Sequence, residues 1–111
     1  MCERRRGPRF AFGGVAEITT IHPKSYIIVS TAELSLFGCF VRTRTTMFIG
    51  TKVGLRISYD GNAFNASGEV VSVSSKHGMG IKFTATAPND AAILEQWLGQ
   101  QTIFRNGGTR P

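Results

Sequence analysis

The chain holds two cysteines, two histidines and seven acidic residues among 111, and each shortage removes a class of function. Cys2 and Cys39 cannot build a disulfide framework. Structural zinc asks for four ligands with close pairs, and neither these cysteines nor His22 and His77 supply them. No catalytic set takes their place. His22 precedes Pro23 and His77 precedes Gly78 in turn-like stretches, with no cysteine or acid at a useful spacing for base catalysis. Asp60 and Asp90 stand at a hairpin and at a helix start, where turn and capping chemistry account for them. Long hydrophobic runs are missing as well. The apolar stretches resemble Ile27-Ile28-Val29, far short of the ~20 residues a membrane helix needs. The arginines near the N-terminus precede no apolar segment, so they do not read as a secretory signal. Without signal, span or disulfide pattern, a cytoplasmic protein is expected, and an enzyme has no supporting constellation.

What is present suffices for one folded domain. The hydrophobic fraction is 41% and the aromatic fraction 10%, enough for a single core and too much for an intrinsically disordered chain. The formal charge is +6, which asks for an anionic partner. Its placement says more than its size. Residues 1–9 carry Arg4, Arg5, Arg6 and Arg9 against Glu3, so half of the excess sits in one terminal arm.

The dominant hydrophobic period is two. Val53, Leu55, Ile57 and Tyr59 share one face of a strand over 52–59, and Asp60-Gly61 follows as a favoured two-residue hairpin turn. The return strand starts with Phe64 and Ala66 in one parity and is expected to turn Val71 and Val73 inward in the other, with a bulge at Gly68 between them. Further strands are expected over Phe10–Thr20, Tyr26–Ala32, Phe37–Thr43 and Gly80–Thr84. Connections fall at His22-Pro23, Phe48-Ile49-Gly50 and Lys76-His77-Gly78. About six short-linked strands make an all-β chain, in a small antiparallel barrel or a sandwich. Cys39 falls in an apolar strand and reads as a core residue. Only the end looks helical: Pro88 suits a first turn, Asn89 and Asp90 suit its positive end, and Ile93, Leu94, Trp97 and Leu98 form one stripe. The domain is expected over 10–101, with a basic arm at 1–9 before it and a loose tail at 102–111 after it.

Two segments carry chemistry. In Glu3-Arg4-Arg5-Arg6-Gly7-Pro8-Arg9 the pair Arg5 and Arg9 precedes the first strand, and Gly7-Pro8 keeps the arm from being a helix. Guanidinium groups suit phosphates and the O6/N7 edge of guanine, because both accept two parallel hydrogen bonds. Glu33-Leu34-Ser35-Leu36-Phe37-Gly38 lies between two expected strands. Together these segments resemble the PilZ domain family, which has an E-R-R-x-x-x-R arm and a D/N-x-S-x-x-G turn. The arm motif is matched at Glu3, Arg4, Arg5 and Arg9, and the turn motif at Ser35 and Gly38. Gly68-Glu69-Val70-Val71 and Gly78-Met79-Gly80-Ile81-Lys82-Phe83 extend the resemblance over roughly residues 3–98.

The resemblance implies a six-stranded antiparallel β-barrel with a C-terminal helix, and a receptor for cyclic di-GMP rather than an enzyme. Arg5 and Arg9, with Arg4 beside them, would grip phosphates and guanine edges. Position 33 would accept from a guanine N–H, and Ser35 would bond a guanine or brace the turn. Gly38 would allow close backbone approach, and the arm would close over the ligand to present a changed surface to a separate protein partner. No metal or further cofactor is implied. One position departs from the pattern: Glu33 stands where the family has Asp or Asn, keeping the carboxylate but adding a methylene. A misplaced charge-assisted hydrogen bond costs about 1.5–3 kcal/mol. Glu33 therefore supports an alternative, a PilZ-like interaction module that no longer binds nucleotide; the intact arginine pair speaks against it. A nucleic-acid-binding barrel would need exposed aromatics among basic residues, whereas most of Phe10, Phe12, Phe37, Phe40, Phe48, Phe64 and Phe83 are expected in the core.

Overall fold

The two-residue period builds a sheet that closes on itself. The computed structural model describes residues 10–21 and 24–109, with side chains over 11–20 and 24–99. The arm at 1–9 and the His22-Pro23 turn lie outside the described residues. Within them the order is β1 (Phe10–Ala11), β2 (Val15–Ile21), β3 (Lys24–Leu34), β4 (Gly38–Arg42), β5 (Lys52–Tyr59), β6 (Asn62–Ser74), β7 (Gly78–Ala85) and α1 (Pro88–Thr109). Strands β3, β2, β5, β6, β7 and β4 lie side by side, every pair antiparallel, and β4 pairs back onto β3. The chain is a closed six-stranded antiparallel barrel with one C-terminal helix, as expected from the sequence.

The expected first strand, Phe10–Thr20, is broken. Strands β1 and β2 follow one another along the same edge of β3, with Phe12-Gly13-Gly14 between them. Backbone bonds from Phe12 N to the Ala32 carbonyl (3.0 Å) and from Thr31 N to the Gly14 carbonyl (2.8 Å) carry the ladder across the gap. The break lets Phe12 turn into the core, where its ring meets Tyr59 at 4.6 Å and Trp97 at 5.3 Å between centroids. A Cβ on Gly14 would lie 2.6 Å from that ring.

Strand β6 also departs from expectation. Register shifts do occur beside Gly68 and again between Val70 and Ser72, but the inward row runs on through Phe64, Gly68 and Val70. Val71, the residue bulged out at the second shift, and Val73 face outward and are 46% and 40% exposed. A bulge absorbs one residue without turning the next side chains inward, which parity counting cannot anticipate. The Asp60-Gly61 turn forms as read, with φ of 53° and 81°; both central residues of this hairpin type need positive φ. Of the phenylalanines, Phe12 and Phe64 are core and Phe40 and Phe83 half-buried. Phe37 and Phe48 stand in solvent, against the expectation that most are buried.

Helix α1 closes the barrel end where the β5–β6 hairpin turns. Leu94, Trp97 and Leu98 are buried, and Trp97 stacks against Phe12, Tyr59 and Phe64. Aromatic pairs of this kind add about 0.5–1.5 kcal/mol beyond their burial. Asp90 does more than favour the helix start: its carboxylate accepts from the Asn65 backbone N–H (2.8 Å) and from Asn65 Nδ2 (3.2 Å), tying α1 to β6. Helical backbone continues through Thr109, beyond the expected domain end at 101. No proline interrupts that stretch, and Gly107-Gly108 cost only about 1 kcal/mol each. Among the described residues no helix is long and apolar enough to cross a membrane.

Candidate functional site

The β3–β4 connection is short and braced by hydrogen bonds of Ser35, Phe37 and Gly38. The Ser35 backbone N–H donates to the Gly38 carbonyl at 2.9 Å. The Ser35 hydroxyl accepts from the Phe37 and Gly38 backbone N–H groups, each at 3.2 Å, and donates to the Gly38 carbonyl at 3.3 Å. A serine hydroxyl has one proton to give and two lone pairs to accept with, so the turn uses its whole capacity. Of the two roles the sequence leaves open for Ser35, the geometry fills the bracing one. Burial of Ser35 matches that role.

Gly38 has a structural reason of its own. It opens β4 opposite Lys82 of β7, and a Cβ there would drive into the Ile81 carbonyl oxygen and stand 3.3 Å from Ile81 C and Lys82 Cα. The neighbouring Phe83 N–H donates to the Phe37 carbonyl at 2.8 Å, which holds β7 against the turn. The close approach that requires glycine is that of β7. Next in line, Cys39 faces the core, and burial pushes its thiol up to about 12, so it stays a neutral apolar filler at ordinary pH.

Glu33 sits differently from its expected place. It and Leu34 belong to β3, which runs two residues past the expected end at Ala32, so Glu33 flanks the turn from an exposed strand position. On one side its register partner is Ala11 of β1; on the other it is Phe40 of β4. Phe10 pairs with Leu34, so the chain that emerges from the arm enters the fold directly beside the Ser35 turn. Arg4, Arg5 and Arg9 themselves lie outside the described residues. The fold thus brings Glu33, Ser35 and Gly38 into one connection and sets the first described residue next to it.

A surface pocket of about 510 Å³ opens farther along β3, lined by Ala11, Phe12, Gly13, Ser30, Thr31, Ala32 and Arg42 and by none of Glu33, Ser35 and Gly38. A bulge shapes its floor: Thr31 faces Val41 and Glu33 faces Phe40, leaving Ala32 as the extra residue. Bulges recur beside functional sites because they re-aim the side chains around them. Thr31 is 2% exposed, and its Oγ1 is the buried side-chain polar atom without a hydrogen-bond partner among the described residues. Arg42, exposed at the end of β4, is cross-strand partner to exposed Ser30. Sequence reading passed over both. Counting by twos from Gly38 through Phe40 to Arg42 would have put Arg42 on the same outer face as the turn.

Comparison with known proteins agrees with this geometry. The model of the PilZ domain matches residues 3–100. No curated protein matches the sequence. Among solved structures, the fold is similar to the Bacillus subtilis inhibitor of motility (MotI/DgrA), with a TM-score of 0.75 and 19% identity, covering 96% of this chain and 53% of that one. It is similar to the PilZ domain with c-di-GMP of YcgR from Escherichia coli, with a TM-score of 0.70 and 15% identity over 94% of this chain and 98% of that one. The PilZ domain of CeSA from a cellulose synthesizing bacterium aligns with a TM-score of 0.66 and 16% identity, covering 86% and 99%. This chain spans about half the length of the Bacillus protein. A barrel of this topology, a braced serine–glycine turn between β3 and β4, and a family match over nearly the whole sequence lead to one assignment: the chain belongs to the PilZ domain family.

Proposed function

We propose that the chain is a cytoplasmic receptor domain that binds cyclic di-GMP through Arg4, Arg5 and Arg9 of the arm and through Glu33, Ser35 and Gly38 of the β3–β4 connection, and signals through a separate protein partner. The observation that carries this reading is the pairing of β1 with the end of β3, Phe10 to Leu34 and Ala11 to Glu33. Arg9 is bonded to Phe10, and five residues extend at most about 18 Å, so Arg5 has the reach to meet a nucleotide seated at the turn. In this reading Arg5 and Arg9 grip phosphates and guanine edges, and Glu33 accepts from a guanine N–H. Ser35 and Gly38 act by holding the turn in shape. The ligand keeps all its bonds; the chemistry is recognition.

Titration calorimetry with cyclic di-GMP, using GTP and cyclic GMP as controls, tests the reading. Saturable binding by the wild type, abolished in Arg5→Ala and in Arg9→Ala, is expected. Glu33→Asp is expected to tighten binding, because it restores the shorter carboxylate of the family pattern. A wild type that shows no saturation at high ligand concentration refutes the reading.

One feature favours a second reading, an interaction module without nucleotide. Phe48 and Ile49 are 89% and 66% exposed at the tip of a rigid turn. Thr51 N–H donates to the Phe48 carbonyl at 3.0 Å, Gly50 N–H donates to the Val70 carbonyl at 2.7 Å, and Gly50 takes a φ of 95°. An exposed aromatic held this firmly suits insertion into a partner. A partner bound equally with and without cyclic di-GMP, and lost in Phe48→Ser, is the outcome that reading requires.

A further inference from the structure

We propose that the pocket between β1, β3 and β4 belongs to the ligand site, with Arg42 supplying a cationic contact to one phosphate of the cyclic dinucleotide; this rests on the cyclic di-GMP reading above. The pocket lies where the chain leaves the arm: Ala11 and Gly13 form one wall, Ser30 and Ala32 of β3 another, and Arg42 of β4 the rim. Its volume, about 510 Å³, falls within the range of small-molecule sites, ~300–1,000 Å³. Among the described residues Arg42 is the one charged side chain in that lining, and no described carboxylate lines it to repel an anion. The other described cations of this half of the chain, Lys24, Arg44, Lys52 and Arg56, do not line it, and Arg56 reaches instead towards Asn65 Oδ1 at 3.4 Å.

The ligand's chemistry asks for such a residue. A cyclic dinucleotide carries two phosphates and two guanines, and each guanidinium makes one bidentate contact at a time. Arg4, Arg5 and Arg9, with one such contact apiece, leave one of those four groups unmet. Arg42 stands on the outer face at the end of β4 away from the Ser35 turn, opposite Ser30, whose hydroxyl is a further donor. Thr31, beneath them, is buried with an unpartnered hydroxyl in the same lining, so a ligand that shifts the bulge at Ala32 gains a polar contact there.

Calorimetry on Arg42→Ala, Arg42→Lys, Ser30→Glu and the remote control Lys76→Ala tests this, with thermal melts confirming that each variant folds. Arg42→Ala is expected to weaken cyclic di-GMP binding about tenfold, and Arg42→Lys by less, since the charge survives without the fork. Ser30→Glu sets a carboxylate across from Arg42 and is expected to weaken binding as well, while Lys76→Ala leaves it unchanged. A shallower salt dependence for Arg42→Ala marks the lost phosphate contact. If the wild type binds and folded Arg42→Ala and Ser30→Glu bind equally well, the pocket assignment is wrong and the receptor reading stands. If the wild type does not bind, the receptor reading falls and the pocket assignment with it.

Discussion

Replacing Gly38 by alanine separates a glycine kept for a ligand from one kept for the fold. The added Cβ would run into the Ile81 carbonyl and lie 3.3 Å from Lys82 Cα. These are backbone atoms in a paired strand, which cannot rotate aside as a side chain would. Overpacking of this kind costs about 1–3 kcal/mol. Prying β4 away from β7 would instead strain the Phe83–Phe37 and Ser35–Gly38 backbone bonds at 2.8 and 2.9 Å, each worth about 1 kcal/mol. By either route a loss of about 2 kcal/mol follows, and in a domain of this size it lowers Tm by roughly 8–16 °C. The assay is thermal unfolding by circular dichroism with no nucleotide added. The same exchange at Gly99, inside α1 with no heavy atom within 4 Å of the new methyl, is expected to raise stability by about 0.5–1 kcal/mol. If Gly38→Ala melts within about 2 °C of the wild type, the strand-contact account of this glycine is refuted.

Trp97→Ala removes the ring shared by Phe12, Tyr59 and Phe64, at a cost of about 3–5 kcal/mol; urea denaturation is expected to find it largely unfolded, with Trp97→Phe partly restored. Asp90→Ala unties α1 from the Asn65 backbone and is expected to cost about 1–2 kcal/mol, read as faster amide exchange in the helix with the barrel still protected. Cys39 predicts an alkaline effect. Burial raises the folded thiol from 9.0 to about 12, so the unfolded chain releases its proton first and stability is lost as pH rises through that window. Relative to Cys39→Ala, the wild type should lose about 1.4 kcal/mol between pH 9 and 10 and the same again to pH 11; a pH-independent difference contradicts the burial of this thiol.

Features that depend on neighbours in sequence were legible before any coordinates. The alternation over 52–59, the Asp60-Gly61 turn and the stripe of Leu94, Trp97 and Leu98 each express a local preference, and each formed where it was read. The spacing of Ser35 and Gly38 marked the turn for the same reason, because its hydrogen bonds close within four residues. Features that depend on distant strands were not legible. The break at Phe12–Gly14 is decided by a ring that must reach Tyr59 and Trp97. The outward turn of Val71 and Val73 is decided by bulges against β7.

The sequence by itself determined a cluster of terminal arginines, a set of alternating strands that could close as a barrel or pack as a sandwich, and a C-terminal helix with an apolar stripe, since charge, period and capping are written residue by residue. Only the tertiary structure decided what the small residues are for. Gly38 is glycine because the Ile81 carbonyl of β7 lies against it, and the Ser35 hydroxyl is occupied because the turn folds around it. Only the closure of β4 onto β3, with β1 laid along the other edge of β3, brings Arg42, Ser30 and the exit of the arm to a single pocket. Pairing between strands far apart in the chain is a property of the closed sheet, and no local pattern encodes it.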